Sequence, residues 1–237
     1  MNKYRSKTFG ILNGLDYSIW NPEADNYIAK KFSSRDRSGK LECKKQLQEL
    51  CGFPLQKDVP VLGIVSRLAE QKGFDILAQA IDDICHMQVQ VVILGTGDLK
   101  YHNLLEDMVK KFPKTISLHL KFDDQLAHRI YAGSDIFLMP SKYEPCGLGQ
   151  LISLKYGTIP VVFKTGGLAD TINDDNGFIF DVYSSDELLL TIKRAARLYR
   201  NTKEWDALVK RAMKCDFSWG ESARQYIRLY EKASALK

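Results

Sequence analysis

The strongest constraint on how this chain can fold is an alternation. From about residue 41 onward, short apolar runs take turns with segments whose apolar residues recur at helical spacing. A run at 59–65 is followed by a segment with Phe74, Leu77, Ile81 and Ile84 on one face, then by a run at 89–94. Asp98 can cap a helix reaching about Phe112, and the pattern continues through a run at 116–120, a helix at 124–132 and a run at 136–139. A helix at 148–156, closed by Gly157, precedes a run at 160–163, a short strand at 178–180, and helices beginning near Ser185 and Thr202. The runs are almost wholly apolar, as strands covered on both faces must be, and the order is that of a doubly wound parallel sheet. In such an α/β fold, ligands bind beyond the carboxyl ends of the strands.

Those ends carry the residues with chemical potential. After the 136–139 run, Glu144-Pro145-Cys146-Gly147-Leu148 joins a carboxylate to a glycine-opened helix start. The unpaired N–H groups of such a start attract phosphate, whereas the carboxylate suits sugar hydroxyls; the alternative is a solvated acid beside a simple turn. After the first strand, Arg67 and Lys72 stand five residues apart in a loop entering a helix, able either to bracket a diphosphate or merely to sit in solvent. Gly95 and Gly97 follow the second strand, where small residues admit close approach of a ligand, or only make a turn. Phe122 follows the third and offers either a face for a base or core packing, and Thr165-Gly166-Gly167 opens another helix after the 160–163 run.

Size and composition frame this reading. A chain of 237 residues with 45% hydrophobic content can bury one good-sized core with appendages. The net charge of +5 comes from 34 basic and 29 acidic residues spread along the chain, which favours a phosphorylated ligand and excludes a nucleic-acid arm. Five cysteines, odd in number and without zinc spacing, imply reduced thiols in a cytoplasmic protein and no metal site. Residues 1–6 lack the apolar stretch of a signal peptide, and no run approaches the ~18 apolar residues of a membrane span. Residues 1–40, polar and punctuated by Asn13-Gly14 and Asn21-Pro22, read as a connector outside the core. Residues 41–215 form the sheet domain, and 216–237 a helix striped with Trp219, Ala223, Tyr226, Ile227 and Tyr230.

Taken together, the motifs resemble the C-terminal half of bacterial glycogen synthases and plant starch synthases, glucosyltransferases of two-domain GT-B architecture. The resemblance runs from Gly10 to Asp16 and Trp20-Asn21-Pro22 through Ser66-Arg67-Leu68, Gln71-Lys72-Gly73 and Gly95-Thr96-Gly97-Asp98. It continues through Tyr131-Ala132-Gly133-Ser134-Asp135, Pro140-Ser141, Glu144 to Leu148, Lys164 to Thr171 and Asp216-Phe217-Ser218-Trp219. It implies transfer of glucose from ADP-glucose to the non-reducing end of an α-1,4-glucan with retention of configuration and without a metal or other cofactor. Arg67 and Lys72 would then hold the diphosphate, and Glu144 the glucose. The backbone at Cys146, Gly147 and Leu148 would contact phosphate or sugar, and Phe122 would replace the usual adenine-stacking tyrosine. Where wider relatives are expected to carry a ribose-binding glutamate, this chain has Gln150, the starch-synthase pattern. Other departures are Gly149 for a common threonine and Lys121-Phe122 for glycine-tyrosine. The resemblance also implies an N-terminal domain, absent from these 237 residues, that binds the acceptor and receives the C-terminal helix. A non-catalytic module that binds nucleotide sugar or glucan, or works only with a partner domain, is the competing reading.

Overall fold

The computed structural model describes residues 8–235, so the expectation for residues 1–6 lies outside the described residues. The sheet comprises β1 (Val61–Val65), β2 (Gln90–Leu94), β3 (Ile116–His119), β4 (Ile136–Met139), β5 (Ile159–Phe163) and β6 (Phe178–Phe180). All neighbouring strands are parallel, in the order β3-β2-β1-β4-β5-β6. The expected doubly wound sheet is therefore present. Strand order reverses between β1 and β4, which pair through Leu62 with Ile136 and Gly63 with Phe137. The loops leaving those two strands diverge there and open a crevice at their carboxyl ends.

The helices are α1 (Ser38–Leu50), α2 (Phe74–Cys85), α3 (Leu99–Lys111), α4 (Asp124–Gly133), α5 (Gly149–Lys155), α6 (Gly166–Thr171), α7 (Ser185–Arg200), α8 (Thr202–Ala212) and α9 (Trp219–Ser234). On α2 the foreseen stripe of Phe74, Leu77, Ile81 and Ile84 is buried against the sheet. Asp98 occupies the N-cap position of α3 without a side-chain cap bond. His102, in the first turn, reaches back instead, and its Nε2 accepts from the Gly97 N–H at 3.0 Å. α1 has no counterpart in the apolar pattern, because two of its inward positions, Lys44 and Gln48, are polar. Lys44 Nζ lies 2.8 Å from Asp135 Oδ2 and donates to the Lys57 and Val59 carbonyls and the Tyr199 hydroxyl. The Val59 carbonyl is thus engaged by Lys44, and β1 begins two residues later than its apolar run.

Residues 8–37 are irregular, as read, yet they do contribute to the core. Leu15 and Phe32 are buried, and Trp20 stacks on His128 with centroids 4.0 Å apart. Asp25 Oδ2 takes hydrogen bonds with His128 Nδ1 at 2.7 Å and the Tyr156 hydroxyl at 2.6 Å. Burial pushes this carboxyl up, but those two partners outweigh it and hold it below the usual range. The segment also meets the start of α9. The Leu15 N–H donates to the Phe217 carbonyl, and the Ser222 hydroxyl to that of Leu12. Trp219, at the first position of α9, and Tyr226, Ile227 and Tyr230 farther along lie exposed. Among the described residues, no helix is long and apolar enough to cross a membrane.

Candidate functional site

Two hollows adjoin in the crevice. The smaller, about 280 Å³, is lined by Arg67, Lys72, Ser141, Glu144, Gly147 and Leu148 together with the ends of β1 and β4. The larger, about 610 Å³, is lined by Gly95, Thr96, Gly97, Phe122, Trp20 and Asp123, among others. Arg67, Ser66, Tyr131 and Ile152 border both, so the two form one trough with Arg67 at its waist. Phe122 is 85% exposed, which removes the core-packing alternative and leaves its ring free at the rim.

Lys72 and Glu144 come from the two loops that leave the switch-point strands. Lys72 Nζ stands 2.5 Å from Glu144 Oε2, and the Ser141 hydroxyl donates to the same oxygen at 3.3 Å. The side chain of Glu144 is 9% exposed and that of Lys72 22%. Both loops are tied together by their backbones. Lys72 closes a short 3-10 turn, Glu70–Lys72, and Gly73 follows it at φ +82°, with no room for a Cβ against the Pro140 carbonyl. The Lys142 N–H donates to the Gln71 carbonyl at 3.0 Å, and Gln71 Nε2 to that of Tyr143 at 3.2 Å. Arg67, by contrast, is exposed, and its guanidinium donates to Gln71 Oε1 at 3.2 Å.

Some sequence-predicted residues support the trough without lining it. The Gly167 N–H donates to the Glu144 carbonyl at 3.0 Å. A Cβ on Gly166, whose φ is +41°, would overlap the Glu144 carbonyl, and one on Gly167 that of Cys146. The two glycines therefore let α6 dock on the Glu144 loop, while Thr165 holds the extended N-cap position beside them. Gly95 and Gly97 face the larger hollow, but their lack of Cβ is needed for another reason. Side chains there would strike the Ser66 and Leu68 carbonyls, where the β1 and β2 loops cross.

Gln150 departs most from its sequence reading. Its side chain is 0% exposed, and its Nε2 donates to the Cys146 carbonyl at 2.9 Å, the Gly147 carbonyl at 3.2 Å and Thr171 Oγ1 at 3.3 Å. Its Oε1 is buried against Gly147 and, among the described residues, has no hydrogen-bond partner. Gln150 thus braces the Cys146–Gly147 turn from behind, and Ile152, two residues later, is the α5 side chain that borders both hollows. Cys146 is a half-buried free thiol whose carbonyl takes part in this brace. Gly147, at φ +74°, supplies the left-handed turn before α5.

Tyr131, Ile152, Trp20 and Ser141 were not singled out as site residues from sequence. For Ser141 a signal existed in its place three residues before Glu144; for Trp20 the signal was its place in the Trp20-Asn21-Pro22 motif, which gives no role to the ring. Asp123 caps α4 through the Leu126 N–H, and Lys121 at 2.7 Å, ahead of that bond, holds its carboxyl below the ordinary range. Among the described residues, no group of three or more His, Cys, Asp or Glu is arranged to hold a metal ion.

A six-stranded doubly wound sheet has at its switch point a trough carrying Arg67, Lys72 and Lys121 beside Glu144, Asp123 and Asp124, flanked by an exposed aromatic ring, and this defines a doubly wound α/β domain with its candidate ligand site at the carboxyl ends of the strands. The family model described as glycosyl transferases group 1 matches residues 52–214, and the chain belongs to that family. It is 49% identical over 235 residues to the glycogen synthase of Geotalea uraniireducens, covering 96% of this chain and 49% of that protein. With the glycogen synthase of Thermosipho africanus it shares 49% identity over 236 residues, with the same two coverages. The catalytic domain of starch synthase IV from Arabidopsis thaliana, solved bound to ADP and acarbose, is similar with a TM-score of 0.90 and 36% identity. That match covers 99% of this chain and 50% of the starch synthase chain. The chain thus spans about half the length of the relatives it matches.

Proposed function

We propose that this chain is the donor-binding half of an α-glucan synthase, which transfers glucose from ADP-glucose to the non-reducing end of an α-1,4-glucan with retention of configuration. The observation that carries this reading is the single trough in which Lys72 and Glu144 at one end connect through Arg67 to Gly95, Gly97 and Phe122 at the other. Glucose would lie toward Glu144, the diphosphate at Arg67 and Lys72, and adenine against Phe122. Arg67 and Lys72 would stabilise the charge that grows on the departing diphosphate, the largest electrostatic demand of the reaction. In this reading they take the part that a metal plays in other transferases, and no cofactor is invoked. Cys146, Gly147 and Leu148 would present backbone N–H groups, with Gln150, Gly166 and Gly167 holding that backbone in place.

The acceptor glucan would come from a second, N-terminal domain seated partly on the exposed stripe of α9, and the whole would work in the cytoplasm. Similarity to a starch synthase bound to ADP supports adenine over uracil.

Calorimetric titration of the 237-residue chain with ADP, UDP and their glucose conjugates tests the donor assignment. Adenine forms should bind more tightly, and Arg67→Ala should weaken them. Failure of all four to bind would overturn the reading; a preference for UDP would overturn the choice of base. The chain alone should elongate glycogen hardly at all, and robust elongation would refute the need for a second domain.

A further inference from the structure

The cation that the donor's diphosphate needs is already engaged by the carboxylate that its sugar needs. Lys72 Nζ and Glu144 Oε2 are 2.5 Å apart, with Ser141 on the same oxygen. The backbones that carry the two partners are fixed, so the pair can part only by movement of the side chains. The Glu144 carbonyl is held by the Gly167 N–H, and the Lys72 turn is stitched to the 140–143 loop through Gln71. Arg67, in contrast, stands exposed, and among the described residues its guanidinium is bonded only to a neutral amide.

We propose that the Lys72–Glu144 pair makes the site discriminate between a sugar nucleotide and the bare nucleoside diphosphate, resting on the donor assignment above. A bare diphosphate draws Lys72 away and leaves Glu144 buried with Ser141 as its remaining donor. Removing one partner of a buried pair is far costlier than the pair itself is worth, because the other charge stays out of water. A donor carrying glucose draws on Lys72 equally, but its hydroxyls donate to Glu144 and replace the lost N–H. Glu144 therefore penalises the diphosphate and not the sugar diphosphate, so the same pair helps capture the donor and expel the product once glucose has left. Arg67 belongs to neither side of this exchange and attracts both ligands alike.

Calorimetry of the 237-residue chain with ADP and with ADP-glucose reads this directly. Glu144→Gln keeps the shape of the side chain and releases Lys72. ADP should then bind about tenfold more tightly, the scale of one charge-assisted contact, while ADP-glucose binds more weakly, reversing the preference. Lys72→Ala and the double variant separate competition for Lys72 from simple repulsion between Glu144 and the phosphates. Competition requires that Glu144→Gln change ADP affinity less than about twofold when Lys72 is absent. A gain as large as or larger than in the parent chain means repulsion and overturns the proposal. ADP affinity unchanged or weakened by Glu144→Gln overturns it as well, with circular dichroism verifying that the variant is folded. Should that variant not fold, Glu144→Asp, which shortens the reach to Lys72, must shift the ADP to ADP-glucose ratio in the same direction, and an unmoved ratio refutes the idea. Should neither ligand bind any form, the donor assignment itself fails; binding with an unmoved ratio defeats this proposal alone.

Discussion

Replacing Gln150 by glutamate separates a ribose-binding role from a bracing one. If position 150 served to contact ribose hydroxyls, glutamate would be tolerated and would strengthen nucleotide binding. In the structure the Gln150 Nε2 points at the carbonyls of Cys146 and Gly147, which can only accept, and the side chain is 0% exposed. A carboxylate there would face two carbonyl oxygens, so the folded variant must keep the introduced carboxyl protonated, while the unfolded variant ionises it near its ordinary value of about 4.3. At pH 7 that proton costs roughly 1.4 kcal/mol for each of about 2.7 pH units, about 3.7 kcal/mol. The carboxyl has one O–H where the amide had two N–H groups, and the hydrogen bond lost adds about 1 kcal/mol. The sign follows from linkage: the folded pKa is raised, so the native state is hurt least below the unfolded value and progressively more as pH rises. Thermal unfolding should show Gln150→Glu melting roughly 9–19 °C below the parent at pH 7, at about 2–4 °C per kcal/mol for a chain of this size. Near pH 5 the gap should narrow to roughly half or less, because only about 1 kcal/mol of the proton cost remains. A variant that melts with the parent at both pH values, or that binds ADP more tightly, would refute the bracing role.

Three further outcomes follow from the same geometry. Phe122→Ala should weaken ADP binding by about 1–3 kcal/mol, the usual worth of a base-stacking aromatic, as measured by calorimetry. Because the ring is 85% exposed, stability should move by no more than about 0.5 kcal/mol in denaturant unfolding. Gly166→Ala forces a Cβ toward the Glu144 carbonyl at φ +41° and should cost about 1–3 kcal/mol in thermal unfolding while loosening donor binding. The Asp25 carboxyl is held low by His128 and Tyr156, so its stabilisation is present above the unfolded carboxylate pKa and lost as pH falls through the folded value. Asp25→Asn should accordingly lower the melting temperature most at neutral pH and flatten its fall toward acid.

The strands and most helices were legible because their signals are local. A strand covered on both faces needs an unbroken apolar run, and 136–139 supplied β4 with both ends correct. The stripe of α2 was equally plain. Helix α1 escaped because Lys44 and Gln48 occupy inward positions, and their partners Asp135 and Gln90 lie far along the chain. Residues 8–37 look like a connector for a related reason: Asp25 and Trp20 reveal their packing only through His128, more than one hundred residues later.

What the sequence by itself determined is the α/β order, the parallel sheet, the strand-end loops bearing Arg67, Lys72 and Glu144, and, through its motifs, the family. These depend on residue type and short spacing, which survive without coordinates. Only the tertiary structure decided which residues face the trough and which hold it up. Gln150 and Ile152 are two residues apart on one short helix, and the packing of α5 puts the first behind the Cys146–Gly147 turn and the second in the trough. Gly95 and Gly97 read as space for a ligand or a turn, and Gly166 and Gly167 as a helix start; the structure shows that a Cβ at any of the four would meet a carbonyl oxygen of a neighbouring loop. The Lys72–Glu144 pair likewise joins residues 72 positions apart, because β1 and β4 lie side by side at the point where the winding of the sheet reverses.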